Sequence, residues 1–345
     1  MKVLVTGGSG FIGSHTVVEL QHAGYDVVAI DNFENSSPNV IDNIKAITGK
    51  EFAFIEADIR DKKALDAVFT AHTDIKAVIH FAAYKAVGES VEKPLAYYEN
   101  NIGGTANLVQ AMQKYKVDNL VFSSSCTVYG DVSADALPIT ESSPVVKANS
   151  PYGNTKKICE EMLFDVSRSS ATKIVALRYF NPIGAHDSAL IGELPNGVPN
   201  NLIPFVTQTA IGIREKLTVF GNDYPTRDGS CIRDFIHVAD LAKAHVKAIE
   251  FLNKNNRPYS VFNIGTGNGN TVLEAIKAFE KVSGKKLNYV IGPRREGDVV
   301  QIYASCDKAI NELGWKAERS LENSLETAWK WELKLAGDKS IANSK

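Results

Sequence analysis

"VTGGSGFIGS", residues 5–14, decides how this chain is read. A run of strand formers, "KVLVTG" (2–7), ends in it, and a helical stretch near 11–23 begins in it. Gly7, Gly10 and Gly13 give G-x-x-G-x-x-G, with Phe11 and Ile12 inside the same candidate cofactor segment. Glycine at these places lets the backbone turn tightly and lie against a pyrophosphate at the helix N-terminus. An ordinary tight strand–helix connection would use the same residues, so the context has to argue further. A second strand, "DVVAID" (26–31), ends in Asp31. A carboxylate there accepts hydrogen bonds from the adenine ribose hydroxyls and repels a 2′-phosphate, which favours NAD over NADP. Asp58, closing a third strand in "EADIR", is either a contact for the adenine amino group or a helix N-terminal acid.

Outward from that turn, the first half alternates strand and helix. Strands are expected at 2–7, 26–31, 51–58, 77–83, 120–125 and 174–180, with helices near 11–23, 61–71, 94–115 and 151–170. Most of these strands are runs of Val, Ile, Leu and Phe, the pattern of strands covered on both faces. Repeated βα units predict an α/β fold with a doubly wound parallel sheet, a Rossmann fold, over 1–180. After Asn181 the chain changes character. "NPIGAHDSALIGELPNGVPNN" (181–201) is rich in Gly, Pro and Asn and reads as a long functional loop. Helices near 201–213, 238–253, 271–283 and 320–335 follow, with strands at 217–220, 260–264 and 288–291. This predicts a smaller, mixed α/β substrate domain over 181–335, some of whose segments return to the first sheet, and a loose tail over 336–345.

Bulk properties narrow the classes of function. The 345 residues are 44% hydrophobic and 23% charged, an average soluble composition. A formal net charge of -2 gives no electrostatic reason to expect a nucleic acid or an anionic membrane as partner. There is no signal-peptide layout and no apolar run of the ~20 residues that cross a bilayer. Cys126, Cys159, Cys231 and Cys306 are scattered, forming neither a CxxC pair nor a disulfide framework, and the seven histidines show no metal-ligand spacing. The expectation is a cytoplasmic protein without a metal.

A second constellation lies in "SPYGNTKK" (150–157). Ser150 suits an N-cap and Pro151 a first helical position, which puts Tyr152 in the first turn and Lys156 one turn later on the same face. A free tyrosine has a pKa of roughly 10 and is a poor base near neutrality. A nearby ammonium and the helix N-terminus would favour the phenolate and bring it toward a general base. Ser125, in "SSSCTVYG" (123–130), follows the strand at the heart of the sheet and could share the substrate proton. A solvated i,i+4 Tyr/Lys pair is the ordinary alternative, and the nucleotide-binding half upstream weighs against it.

The glycine turn, Ser125 and the Tyr152/Lys156 pair resemble an extended short-chain dehydrogenase/reductase. Longer strings, "HFAAYKAVGESVEKPLAYYENN", "FSSSCTVYG", "LRYFNPIGAH", "PNNLIP", "FGNDYPTRDGSCIRDFIHV" and "RREGD", are similar to those of the UDP-glucose 4-epimerase family, from residue 1 to about residue 335. That resemblance implies Tyr152 as base, Ser125 as its partner and Lys156 on the nicotinamide ribose. It also implies NAD contacts from Ile59, Phe81, Ala82, Lys85, Asn100 and Tyr179, with Asn32, Asn35 and Ser36 near the adenosine. On the UDP-sugar side it implies Thr127, Asn181, Asn201, Leu202, Phe220, Arg233, Arg295, Asp298 and Ile302.

The implied reaction interconverts UDP-galactose and UDP-glucose through a 4-keto sugar, with tightly bound NAD as transient hydride acceptor, in galactose metabolism. Related dehydratases carry a carboxylate just after the strand-end serine or threonine, where this chain has Cys126-Thr127. Ile302 lies between the large aromatic residue that resembles glucose/galactose-restricted enzymes and the small one that resembles enzymes accepting N-acetylated sugars. The resemblance further implies a homodimer through the helices near 94–115 and 151–170. Two other readings stay open: an epimerase or oxidoreductase for another nucleotide sugar, such as a uronic acid, and a non-catalytic NAD-binding regulator.

Overall fold

In the computed structural model, which describes residues 1–146, 148–295 and 298–342, seven parallel strands form the central sheet. They are β1 (Lys2–Thr6), β2 (Asp26–Asp31), β3 (Ala53–Glu56), β4 (Ile75–His80), β5 (Asn119–Ser123), β6 (Lys173–Tyr179) and β10 (Tyr259–Ile264), in the order β10-β6-β5-β4-β1-β2-β3. Every strand contact in it is parallel. Parallel neighbours need crossovers, and here helices supply them on both faces. On one face lie α1 (Phe11–His22), α2 (Asn39–Thr48) and α9 (Val238–Lys254); on the other α3 (Lys62–Ala71), α6 (Gly104–Lys114) and α7 (Pro151–Ser169). The pleat distributes β1 between the two: Val3 and Val5 face α1, while Leu4 faces the opposite cluster.

Between β4 and α6 lie the short helices α4 (Val87–Glu92) and α5 (Pro94–Tyr97) and a π-helical turn, Tyr98–Gly103. The expected helix at 94–115 is therefore one rod with a π turn inside it. That irregularity turns Asn101 inward, where its side chain accepts from Tyr84 N at 2.8 Å and donates to the Tyr84 carbonyl and to Thr155 Oγ1, each at 3.0 Å.

The remainder forms two small sheets and a helical layer. β9 (Ile232–His237) pairs parallel with β7 (Asn181–Ile183) and β13 (Gln301–Ile302), and antiparallel with β11 (Gly269–Thr271). β8 (Leu217–Phe220) and β12 (Tyr289–Gly292) form a parallel ribbon. Helices α8 (Leu202–Ala210), α10 (Val272–Ser283) and α11 (Leu321–Ala342) close around Phe235, Phe279 and Trp329. A capping box between Thr271 and Glu274 starts α10.

The expected loose tail is corrected: α11 runs through Ala342, so residues 336–342 are helical, and 343–345 lie outside the described residues. The sequence around 336 lacks the Gly-Pro stop that would end a helix; its one glycine, Gly337, interrupts nothing. Strands β7, β9, β11 and β13 and helices α2 and α4 were not expected. β7, β11 and β13 have only 3, 3 and 2 residues, too short for a two-residue period to register.

Four histidines are buried without charge. Burial pushes His15, His80 and His237 down to about 3 and His245 to about 4. His80 is wedged between Thr6 Oγ1 at 2.7 Å and Thr105 Oγ1 at 2.9 Å. A histidine whose folded pKa lies below its unfolded value contributes stability fully present above about pH 6.5 and lost as pH falls, because the unfolded chain then binds the extra proton. Unfolding should therefore take up protons between about pH 6.5 and 4, each histidine costing about 1 kcal/mol of stability by pH 5.5. Urea midpoints that stay flat from pH 7 to pH 5 would contradict this.

Candidate active site

The strand order reverses between β1 and β4, and their C-terminal ends open a crevice. The predicted glycine turn occupies it. Gly7, at a positive φ of 70, donates to the Ile30 carbonyl at 2.8 Å, and a Cβ on it would stand 2.8 Å from Ala82 N. A Cβ on Gly13 would meet the Gly7 carbonyl oxygen at 2.0 Å. Gly10, by contrast, has only one neighbour, at 3.3 Å, and leaves α1 without a side-chain cap. The first two glycines are needed by the protein's own packing; the third keeps the helix N-terminus open. That open, uncapped end is the cradle a dinucleotide pyrophosphate requires, so the residues present fit NAD.

Asp31 is held at the end of β2 by Ser9 N at 3.2 Å, Phe33 N at 3.0 Å and Ser36 Oγ at 3.0 Å. Asn32 donates to Asp58 at 3.0 Å, and Asp58 pairs with Arg60 at 2.6 Å. The Arg60 guanidinium brings the Asp58 carboxyl down to about 2. The helix N-cap here is Asp61, whose side chain accepts from Lys63 N and Ala64 N, so Asp58 does not serve as the helix N-terminal acid. Asn35 is exposed and touched by Asn196 at 3.5 Å; Ile59 is buried beneath Gly104. Phe81 and Ala82 follow β4, and Lys85 reaches Glu193 at 3.2 Å while lying 5.9 Å from the centre of the Phe11 ring. Ile12 packs against the core of the α1 face, and Asn100 is buried in the π turn.

The predicted catalytic trio comes together beyond β5 and β6. Ser150 caps α7 through Gly153 N at 3.2 Å, which places Tyr152 in its first turn. Ser125 accepts from Thr127 N at 3.2 Å and Thr127 Oγ1 at 3.0 Å, which leaves its own proton for a further acceptor, and it opposes the upward pull on the Tyr152 phenol. Lys156, fully within the protein, donates to the Ser123 carbonyl at 2.7 Å and sits 4.9 Å from the Phe122 ring centre. Burial lowers it to about 8. Tyr179 receives a hydrogen bond from Ser123 Oγ at 3.0 Å, and burial pushes it up to about 12.

Burial, followed by the proximity of Tyr179, raises the Tyr152 phenol well above 10, and Ser125 works in the opposite direction. The phenol is packed at 7% exposure, and the Lys156 ammonium is directed to the Ser123 carbonyl.

Behind Lys156 lies a network that sequence patterns did not single out. Glu160, one turn along α7, forms a buried pair with Arg178 of β6 at 2.5 Å, both side chains 8% exposed. Ser124 Oγ donates to Glu160 at 2.5 Å, Arg178 donates to Tyr129 at 3.0 Å, and Tyr129 donates to Asn263 at 2.7 Å. The only signal in the sequence is the i,i+4 repeat Tyr152–Lys156–Glu160, which lines these three along one face.

The predicted sugar-nucleotide residues gather at the edges of the small sheets. Asn181 opens β7 with a buried Oδ1 that has no hydrogen-bond partner among the described residues, an acceptor open to a bound group. Asn201 caps α8 by position, and Leu202 begins that helix. Arg233 donates to the Ile232 carbonyl at 2.9 Å and the Val299 carbonyl at 2.7 Å. Asp298 stands 2.6 Å from Arg295 and 3.7 Å from Arg233. Arg295 lies over the exposed Phe220 ring, 5.5 Å from its centre. Of "RREGD", Glu296 and Gly297 fall outside the described residues. Ile302 is buried with Cys126, Tyr129 and Phe180, against the loop that carries Ser125. Burial drives the Cys126 thiol up to about 12, so it stays protonated. Among the described residues no cluster of His, Cys, Asp and Glu could hold a metal, and no helix is long and apolar enough to cross a membrane. A hollow of about 620 Å³ beside Arg227, Asn268 and Tyr303 includes none of the predicted site residues.

A dinucleotide cradle at the switch point, with Ser125, Tyr152 and Lys156 at the neighbouring strand ends, defines a Rossmann-fold redox enzyme of the short-chain dehydrogenase/reductase type. The chain belongs to the NAD dependent epimerase/dehydratase family, whose sequence profile matches residues 3–265, and within it to the UDP-glucose 4-epimerases. It is 53% identical over 333 residues to the UDP-glucose 4-epimerase of Bacillus subtilis (strain 168), covering 96% of this chain and 97% of that one. The crystal structure of the Stenotrophomonas maltophila UDP-glucose-4-epimerase, with bound NAD and formylated UDP-arabinopyranose, superposes with a TM-score of 0.95 at 47% identity, covering 98% of this chain and 99% of that one. That of Bifidobacterium longum, in complex with NAD+ and UDP, gives 0.93 at 46% identity, with 97% and 98% covered.

The close approach at Gly13 yields a direct test. Gly13→Ala forces backbone apart and should destabilise the protein by about 1–3 kcal/mol, the usual cost of overpacking. Gly88→Ala, inside α4 with nothing within 4 Å of the added methyl, should hold or slightly raise the denaturant midpoint, because alanine is the better helix former.

Proposed function

We propose that this protein is a cytosolic UDP-glucose 4-epimerase, interconverting UDP-galactose and UDP-glucose through a 4-keto sugar in galactose metabolism. The observation that carries this reading is the convergence of Ser125, Tyr152 and Lys156 at the mouth of a dinucleotide crevice, with Cys126 and Thr127 rather than a carboxylate following Ser125. A phenol and a hydroxyl are sufficient to move one proton to and from a sugar 4-hydroxyl. Expelling a 6-hydroxyl would need an additional acid, and Cys126 and Thr127 cannot provide it.

In this reading Tyr152 acts as its phenolate, taking the 4-hydroxyl proton to become the phenol, while Ser125 shares that proton. The Lys156 ammonium and the positive nicotinamide ring of bound NAD would favour the phenolate against the burial that otherwise keeps the phenol protonated. Lys156 holds its charge beneath both and reaches the nicotinamide ribose. Gly7, Gly10, Phe11, Ile12 and Gly13 receive the pyrophosphate, Asp31 the adenine ribose, and Asn32, Asn35, Ser36, Asp58 and Ile59 the adenosine. Phe81, Ala82, Lys85, Asn100 and Tyr179 line the remainder. NAD, when bound, supplies a reversible hydride acceptor for the sugar C4. Arg233 and Arg295 suit a diphosphate, which guanidinium groups bind in bidentate fashion. Asp298 suits the uridine ribose, with Thr127, Asn181, Asn201, Leu202 and Phe220 completing the grip.

Tyr152→Phe should lower turnover of UDP-galactose by about 10²–10⁴-fold, the range of general acid–base catalysis. The assay is UDP-glucose formation by purified protein with no NAD added. Absence of conversion by the unmodified protein, even with NAD supplied, would refute the epimerase reading.

Ile302 is the proposed determinant of sugar size. It is buried against Cys126, Tyr129 and Phe180, beside the loop that carries Ser125, so a larger side chain there would need room taken from that pocket. Ile302→Tyr should reduce activity on UDP-GlcNAc and UDP-GalNAc relative to UDP-glucose and UDP-galactose; an unchanged ratio would remove that role.

The same reading includes a homodimer through the helices around 94–115 and 151–170. Leu95 on α5 and Phe164 on α7, within those two stretches, are 82% and 44% exposed, large apolar side chains of the kind a partner covers, and Val87 and Val91 of the preceding α4 are exposed as well. Sedimentation as a monomer at micromolar concentration would contradict it.

A further inference from the structure

Glu193 lies in the long loop after β7, yet its backbone is fastened from two sides. Ala185 and Gly192 form a β-bridge, and His186 N donates to the Ile191 carbonyl at 3.0 Å, closing the segment on itself. Asn43 of α2 donates to the Leu190 carbonyl at 2.9 Å. Trp331 of α11 donates its indole N–H to the Glu193 carbonyl at 2.9 Å and packs so tightly on Gly192 that a Cβ there would stand 2.6 Å from its ring. The carboxylate projecting from this anchor is 11% exposed. One of its oxygens, Oε1, accepts from two groups: Lys85 Nζ at 3.2 Å, from the segment after β4, and Asn201 Nδ2 at 2.6 Å, from the start of α8.

These two donors come from segments far apart in the chain, one following β4 and the other opening α8. Without Glu193 the Lys85 ammonium, 48% exposed, would be a flexible surface charge, and the Asn201 amide would be free to rotate. Sharing one oxygen, neither can shift without disturbing the other.

We infer that Glu193 is a positioning residue that couples the two halves of the cleft, linking the cofactor-side Lys85 to the sugar-nucleotide-side Asn201 so that occupation of one side fixes the geometry of the other. The inference rests on the assignment of Lys85 to the cofactor and Asn201 to the UDP moiety made above. It predicts that a nucleoside diphosphate in the substrate half retards loss of NAD from the other half, without touching it.

The test follows NAD release from the holoenzyme on dilution, with and without saturating UDP, alongside calorimetric binding of UDP. UDP should slow NAD loss by about fivefold or more in the unmodified protein, the lower end of ordinary site–site coupling. Glu193→Gln keeps the shape and the Trp331 contact but gives up the charge, and should bring that ratio close to one while UDP still binds. Lys85→Met cuts the same tie from its exposed end and should also lose the UDP effect, which covers the case in which the glutamine variant does not fold. Equal retardation in unmodified and Glu193→Gln protein, or none in the unmodified protein despite UDP binding, overturns the coupling. Failure of UDP to bind the unmodified holoenzyme overturns the functional reading itself, and the coupling with it.

Discussion

Two neighbouring parallel strands, β1 and β4, send their chains to opposite faces of the sheet, and the remaining functional geometry follows from that divergence. Where the connections part, no helix can cover the strand ends, so the crevice is a consequence of topology rather than of any one side chain. Filling it with backbone alone would close it. Gly7 and Gly13 let β1, α1 and the segment after β4 approach to contact distance, and Gly10 leaves the uncapped helix end facing outward. The dipole and free N–H groups at that end then favour an anion.

The catalytic side needs rigidity of a different kind. α7 is a long helix whose first turn must present Tyr152 beside Ser125, on a separate strand-end loop. Apolar packing through Cys159 and Leu163 holds the helix to the sheet but does not set its rotation or height. The Glu160–Arg178 pair does, because a buried charge pair is directional and costly to break, about 3–5 kcal/mol when one partner is lost. Ser124, adjacent to Ser125, shares the same carboxylate, so helix and serine loop are referred to one point. Tyr129 and Asn263 extend the connection to β10, at the far edge of the sheet.

The smaller sheets carry a cluster of charged side chains. Arg233, Arg295 and Asp298 stand on short strands and their flanking loops, where the backbone carbonyls of Ile232 and Val299 orient the Arg233 guanidinium. The long loop spans the distance between this group and the Rossmann half. Its fixed backbone, pinned by Trp331 and Asn43, explains how a segment rich in Gly and Pro can still hold Glu193 in place.

Local chemistry was written plainly in the amino-acid order. The glycine spacing, Asp31 at a strand end, the Ser150-Pro151 helix start and the Tyr152/Lys156 interval each concern neighbours along the chain, where the period of a helix or a turn dictates what meets what. The parallel sheet followed from the alternation of apolar strands and helices, since such strands can be buried only between two helical layers. Pairings between distant segments were not legible: the two- and three-residue strands around β9, the π turn that points Asn101 at Tyr84 and Thr155, the Glu160–Arg178 pair and the Lys85–Glu193–Asn201 tie. Nor could the sequence show how strongly burial favours the neutral Tyr152 phenol. Desolvation depends on everything packed around a group, and only the tertiary structure decides what that is.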